Sequence, residues 1–194
     1  QVDEGEAGLR YRGYAIGDLA GHSSFEEVAY LLLFGHLPTG TELEEFSDLL
    51  RRNRPLPEQV QNFMTSLRPG MHPMDVLRSG ISLLGLNDPD AQDGSHAATL
   101  RKSVRLLAQI PQLIADSYQV MAGRHPAKPD TEGSFAENLL GLVAGRREGD
   151  VGAAMAQALN VSLILYAEHE FNASTFAARV TASTLTDLHG AITA

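Results

Sequence analysis

The chain has 194 residues, 43% hydrophobic and 20% charged, with 15 Lys and Arg against 24 Asp and Glu for a formal charge of −9. That length suits one domain or two small ones and buries about 70% of the unfolded surface without a metal or disulfide staple. With no cysteine, a disulfide framework, a thiolate metal site and a cysteine nucleophile are excluded, and the acidic balance argues against a general nucleic-acid binder, which needs surplus cations to neutralise phosphate.

No apolar run approaches the roughly 20 residues that cross a bilayer, so no membrane partner is expected. The start, Gln-Val-Asp-Glu-Gly-Glu, has no basic end and no apolar core, so these residues are not expected to be a signal peptide. It also lacks an initiator Met, as a processed, cloned or partly ordered start would. The expected compartment is the cytoplasm, or a mitochondrial matrix after processing.

In chain order the pattern is helix after helix, with almost no period-2 alternation. Residues 8–15 are the one candidate for a short extended piece. Ser24-Phe25-Glu26-Glu27 is a capping box that opens an apolar helix, and Gly35 stops it. Pro38 to Thr41 reads as a turn before a Glu- and Leu-rich helix to about Arg52. Pro57 and Pro73 each stand in a first helical turn, where proline is tolerated, and their helices run to about Leu67 and Leu84. Residues 86–95 form a polar loop.

A long helix from about His96 to Ala122 carries an interior Pro111, which predicts a kink. A Gly/Pro-rich connection leads to a second capping box, Ser134 to Glu137, whose helix reaches about Ala144. Asp150 is expected to cap a helix that is apolar almost all round up to Tyr166 or Ala167, a pattern that predicts burial. A last helix begins near Ser174. The expectation is an all-α architecture of about eight helices.

The stretch Tyr166 to Thr175, which contains Glu168, His169, Glu170 and Asn172, lies between two helices read as buried. His169 falls at a helix C-terminus, where the dipole favours a protonated ring, and Asn172 and Ser174 fall at a helix start, where backbone N–H groups are unpaired. A cationic imidazole facing such a start could hold a small anionic or carbonyl-bearing ligand. A capped turn whose histidine bonds a backbone carbonyl would leave the same pattern, and spacing leaves both open.

The other histidines carry less. His22 and His36 fall in turns, His72 precedes Pro73, His96 and His125 lie in polar loops, and His189 falls in a helix. None has the i, i+4 spacing with a carboxylate of a metal-binding helix, so no metal is expected. Neither a dinucleotide loop, a phosphate loop nor a Gly-x-Ser-x-Gly elbow occurs. Arg10 and Arg12 alternate with Tyr11 and Tyr14 as an exposed, stacked segment would. Arg51, Arg52 and Arg54 read as a solvated cluster at a helix end, and Tyr118 as a core or helix-partner contact.

Three segments resemble one known family. Residues 9–20 (Leu-Arg-Tyr-Arg-Gly-Tyr-Ala-Ile-Gly-Asp-Leu-Ala) and 23–39 resemble the front of a bacterial citrate synthase or 2-methylcitrate synthase. His72-Pro73-Met74-Asp75-Val76-Leu77-Arg78 resembles its His-Pro-Met-Asp segment, and residues 167–176 resemble its Glu/Asp-His-Glu-x-Asn-Ala-Ser-Thr segment. The likeness runs in order over nearly the whole chain.

The resemblance implies an all-α homodimer that condenses oxaloacetate with an acyl-CoA and releases citrate or 2-methylcitrate and free CoA. It implies no cofactor, the acyl-CoA being a co-substrate. It implies that His169 contacts oxaloacetate with Asn172 beside it. An Asp removes the acyl proton, one His stabilises the enol and another protonates the keto acid. In the family those catalytic groups, the carboxylate-binding Arg residues and the CoA loop come after the segment matched here. The chain pattern stops at Ala191 to Ala194 inside a helix. The expectation is therefore the N-terminal portion of the large domain, residues 1–194, with no catalytic residue of its own and no activity alone. Tyr166 leans towards the 2-methylcitrate branch. The alternative is a non-catalytic helical interaction protein derived from that family.

Overall fold

The computed structural model describes residues 8–126, 128–129, 132–144, 149–168 and 172–194. Among them run β1 (Arg10–Tyr11), β2 (Tyr14–Ala15), α1 (Ile16–His22), α2 (Phe25–Phe34), α3 (Gly40–Asn53), α4 (Glu58–Ser66), α5 (Pro73–Asn87), α6 (His96–Met121), α7 (Phe135–Ala144), α8 (Gly149–Tyr166), α9 (Ala173–Ala182) and α10 (Leu188–Thr193). The all-α expectation holds, since the strands form only one two-stranded antiparallel ribbon. The chain divides into two compact units, one of residues 1–49 with 132–172 and one of residues 50–131 with 173–194.

In the first unit the extended piece is a hairpin with Arg10 opposite Ala15 and Tyr11 opposite Tyr14. Its turn needs two positive φ values, supplied by Arg12 (50°) and Gly13 (95°), the twist that a two-residue hairpin favours. The Ser24 capping box is complete: Ser24 Oγ accepts from the Glu27 N–H and the Glu27 carboxylate accepts from the Ser24 N–H. Gly35, at φ 92°, ends α2 as expected. Glu26 is buried and accepts from the Phe135 N–H at 2.7 Å, so its carboxylate meets the positive end of α7. Asn160 ties α8 to the start of α2, accepting from the Phe25 N–H at 2.7 Å and donating to the Ser23 carbonyl at 3.2 Å. Leu19, Val28, Leu31, Leu142 and Ile164 are buried in this unit.

The second unit has its own core of Leu56, Val60, Met64, Val76, Ile81, Leu84, Leu106 and Leu113. Gly80 lets α5 approach α6, because a Cβ there would stand 2.7 Å from Leu113 Cδ2. Pro73 opens α5 as expected, while Pro57 stands one residue earlier, as the cap of α4. The helix predicted over 96–122 is continuous as α6 with Pro111 inside it.

The structure corrects four sequence expectations. Helices number ten among the described residues, because residues 16–22 are helical and the last helix is split into α9 and α10. Leu185 adopts φ 64° and Asp187 caps α10 by accepting from the His189 and Gly190 N–H groups, so a new helix starts where periodicity ran on. Helix α8 begins at Gly149, before Asp150. Pro38 to Thr41 is more than a turn: Thr39 and Glu42 form a third capping box, with the Glu42 carboxylate accepting from the Thr39 N–H at 2.8 Å.

The expected burial of the helices around Tyr166 to Thr175 also fails. Ile164 is buried, but Leu165 and Tyr166 are exposed, and α9 has no buried residue. The neighbours of α8 within its unit are α1, α2 and α7. Tyr11 also reaches the Ile164 carbonyl, and a helix apolar all round needs cover on every side.

Candidate functional site

The C-terminal end of α8 is held by one side chain. Tyr11 is 1% exposed, and its hydroxyl lies 3.0 Å from the Ile164 carbonyl, 3.3 Å from that of Leu165 and 3.0 Å from that of Glu168. The Glu168 N–H donates back to the same oxygen at 3.3 Å. The last carbonyls of a helix lack intrahelical partners and carry its negative dipole end, so a single phenolic proton shared among three of them is a C-terminal cap. Burial raises the Tyr11 phenol above its ordinary value, which keeps it a donor at neutral pH.

The hairpin that presents Tyr11 is itself pinned. Arg10 Nη1 donates to the Gly13 carbonyl across the turn at 2.9 Å, and Arg12 Nη2 donates to the Leu32 carbonyl of α2 at 3.1 Å. The alternation Arg-Tyr-Arg-Gly-Tyr therefore sends Tyr11 inward. The expectation of an exposed segment is wrong for Tyr11 and right for Tyr14, which is exposed.

Residues 167–172 link α8 to α9. His169, with Glu170 and Phe171, lies outside the described residues. Asn172 is exposed and immediately precedes α9. In the second unit a groove of about 590 Å³ is lined by Met74, Asp75 and Arg78 of α5, Ala173 and Ser174 of α9 and Ile192 of α10. Arg78 donates to Asp75 at 3.0 Å. His72 caps α5, with Nδ1 accepting from the Met74 N–H at 3.3 Å. The groove thus combines the Arg78–Asp75 ion pair, a serine and the start of the ten-residue α9, groups that can meet polar ligand atoms.

The three segments singled out in the sequence meet in pairs. Tyr11 of the first bonds Glu168 of the third, and Met74 to Arg78 of the second share a groove with Ala173 and Ser174 of the third.

Other sequence expectations need correcting. Arg54 is 3% exposed, buried instead of solvated. Tyr118 is 51% exposed, with the Arg124 guanidinium 5.2 Å above its ring. His96 is the first residue of α6 instead of a loop residue.

His189, read only as a helix residue, is buried at 2% exposure. Its Nε2 lies 3.6 Å from Asp88 and its Nδ1 3.6 Å from Asp187. Asp88 in turn takes two bonds from Arg105, whose guanidinium also reaches Asp90. Neither Tyr11 nor His189 had a strong signal. Arg-x-Arg alternation hinted at the first, and nothing local announced the second. No group of three or more His, Asp or Glu suited to a metal occurs among the described residues, and no helix among them is long and apolar enough to cross a membrane.

The family model described as "Citrate synthase, C-terminal domain" matches residues 1–194. The chain belongs to the citrate synthase family. It is 42% identical over 185 residues to a 2-methylcitrate synthase of Mycobacterium tuberculosis, which covers 95% of this chain and 46% of the relative. It is 40% identical over 187 residues to citrate synthase 2 of Bacillus subtilis, covering 96% of this chain and 50% of the relative. Among solved structures, a citrate synthase from Pyrobaculum aerophilum superposes with a TM-score of 0.91 at 34% identity, over 100% of this chain and 49% of that one. The Thermoplasma acidophilum citrate synthase, solved as a ternary complex with carboxymethyl coenzyme A and oxaloacetate, gives a TM-score of 0.88 at 26% identity, over 100% of this chain and 50% of that one. The chain therefore spans about half the length of the relatives it matches.

Proposed function

We propose that these residues form part of an enzyme that condenses oxaloacetate with acetyl-CoA or propionyl-CoA, giving citrate or 2-methylcitrate and free CoA. The observation that carries this reading is the meeting of the three family segments, pairwise, at the two ends of residues 167–173. It is supported by the relatives' names and by the Thermoplasma complex, in which a related fold holds oxaloacetate and a coenzyme A analogue.

In this reading His169 contacts the keto acid and Asn172 stands beside it. The acid–base groups lie in the part of the relatives' length that these residues do not span. This portion serves to bind and orient the four-carbon substrate, which lowers the barrier by fixing the reacting carbonyl in place. The enzyme works as a cytoplasmic homodimer, without a cofactor. The exposed apolar side chains Leu165, Tyr166, Phe176 and Val180 are consistent with surfaces that assembly would cover.

Those same exposed residues favour a second reading, a non-catalytic helical interaction protein. Oxaloacetate binding separates the two. In a protein of the relatives' length, His169→Ala weakens oxaloacetate binding by about 1.5–3 kcal/mol, the range for a hydrogen bond to a charged group, measured by titration calorimetry. Unchanged affinity would return His169 to a merely structural role.

A further inference from the structure

We infer that Tyr11 is a positioning residue for oxaloacetate capture, acting through its hydroxyl on the end of α8. The inference rests on the proposed function above and adds a residue from the far end of the chain to it.

The geometry is specific. Tyr11 is separated from Ile164 by 153 positions and from Glu168 by 157, so no local propensity places them together. A buried ring alone would fill space. Here the hydroxyl both donates to the carbonyl set of Ile164, Leu165 and Glu168 and accepts the Glu168 N–H. Ala167 adds only a long backbone bond to Ile164 at 3.3 Å. Beyond Tyr166 the helix has ended, and the Tyr11 oxygen bonds both the N–H and the carbonyl of Glu168. The backbone of Glu168, the residue before His169 in sequence, is therefore held from outside the helix, by a phenol on a hairpin braced by Arg10 and Arg12.

A pure packing role and a positioning role differ in what losing one oxygen does. Tyr11→Phe keeps the ring and removes the cap. A misplacement of about 1 Å is enough to weaken a charge-assisted contact. The experiment is steady-state kinetics of Tyr11→Phe and His169→Ala, singly and together, in the protein at the length of its relatives. Alongside it, backbone amide exchange is followed over residues 165–168.

The expected result for Tyr11→Phe is an oxaloacetate KM raised about threefold to tenfold, the effect of one neutral hydrogen bond. The acyl-CoA KM stays unchanged, and exchange at residues 165–168 is faster. The effect shrinks in the double variant, because both act on one contact. An oxaloacetate KM that does not move, or one that moves only together with the acyl-CoA KM, overturns the inference and leaves Tyr11 a packing residue.

The two proposals fail separately. If His169→Ala weakens oxaloacetate and Tyr11→Phe does not, the inference falls and the reading of His169 stands. If Tyr11→Phe weakens it and His169→Ala does not, Tyr11 acts through another residue of the link and the His169 assignment falls. Should Tyr11→Phe fold poorly, the unaltered protein decides: saturating oxaloacetate slows exchange at residues 165–168, and no change there overturns the inference.

Discussion

His189 shows how a single residue's surroundings decide its chemistry. The ring stands between Asp88 and Asp187, which favour its charged form, and near Lys102 and Arg105, which oppose it. Burial is the largest influence and, with the cations, holds the imidazole below its ordinary value of 6.5. A depressed folded pKa means that the fold prefers the neutral ring. The stability this gives is complete above about pH 6.5 and is lost as the pH falls through that value towards the folded one. Chemical denaturation followed from pH 7.5 to 5.5 should show stability falling, and His189→Gln should flatten that slope; parallel slopes for the two proteins would contradict the assignment.

Glu42 also loses its contribution on acidification, although here the fold prefers the charged form. The Thr39 backbone bond, then the Thr39 hydroxyl, lower its carboxyl to about 2 from 4.5. Its contribution to α3 is therefore present above about pH 4.5 and disappears as the pH falls towards 2. Glu42→Gln should remove that part of the acid sensitivity in an acid titration of helicity.

At the scale of elements, caps and glycines set boundaries that periodicity only suggests. Ser24→Ala removes the oxygen that accepts the Glu27 N–H and should cost about 1 kcal/mol of stability, read from a urea midpoint. Gly80→Ala gains about 1 kcal/mol of helix propensity. It also drives a Cβ to 2.7 Å from Leu113, which is fully buried, so a close-packed side chain must shift. Overpacking of this kind costs about 1–3 kcal/mol, so the variant should be destabilised despite the better helix former.

The elements legible in the sequence were those with local punctuation: the Ser24 and Ser134 boxes, Gly35, Pro73, and the short extended piece over residues 8–15. What periodicity missed depended on distant partners. The break between α9 and α10 rests on a left-handed Leu185 and the Asp187 cap. The inward turn of Tyr11 depends on carbonyls more than 150 positions away. Burial of α8 was overestimated because an apolar circumference states what a helix could bury, whereas its main neighbours among the described residues of its unit, α1, α2 and α7, leave Leu165 and Tyr166 exposed.

At the scale of the whole molecule, two units each build their own core, and the chain passes between them three times, the last between Asn172 and Ala173. The family was legible because its segments are long and ordered. The site was legible only in part: the stretch around His169 stood out for its polarity, but Tyr11 looked like surface and the groove beside Ser174 draws on α5, α9 and α10 at once. The most direct measurement is oxaloacetate-dependent release of the CoA thiol from acetyl-CoA and from propionyl-CoA by the protein at its relatives' length. The account predicts turnover on at least one thioester, with their ratio separating citrate from 2-methylcitrate formation; no thiol release above the enzyme-free rate on either would contradict it.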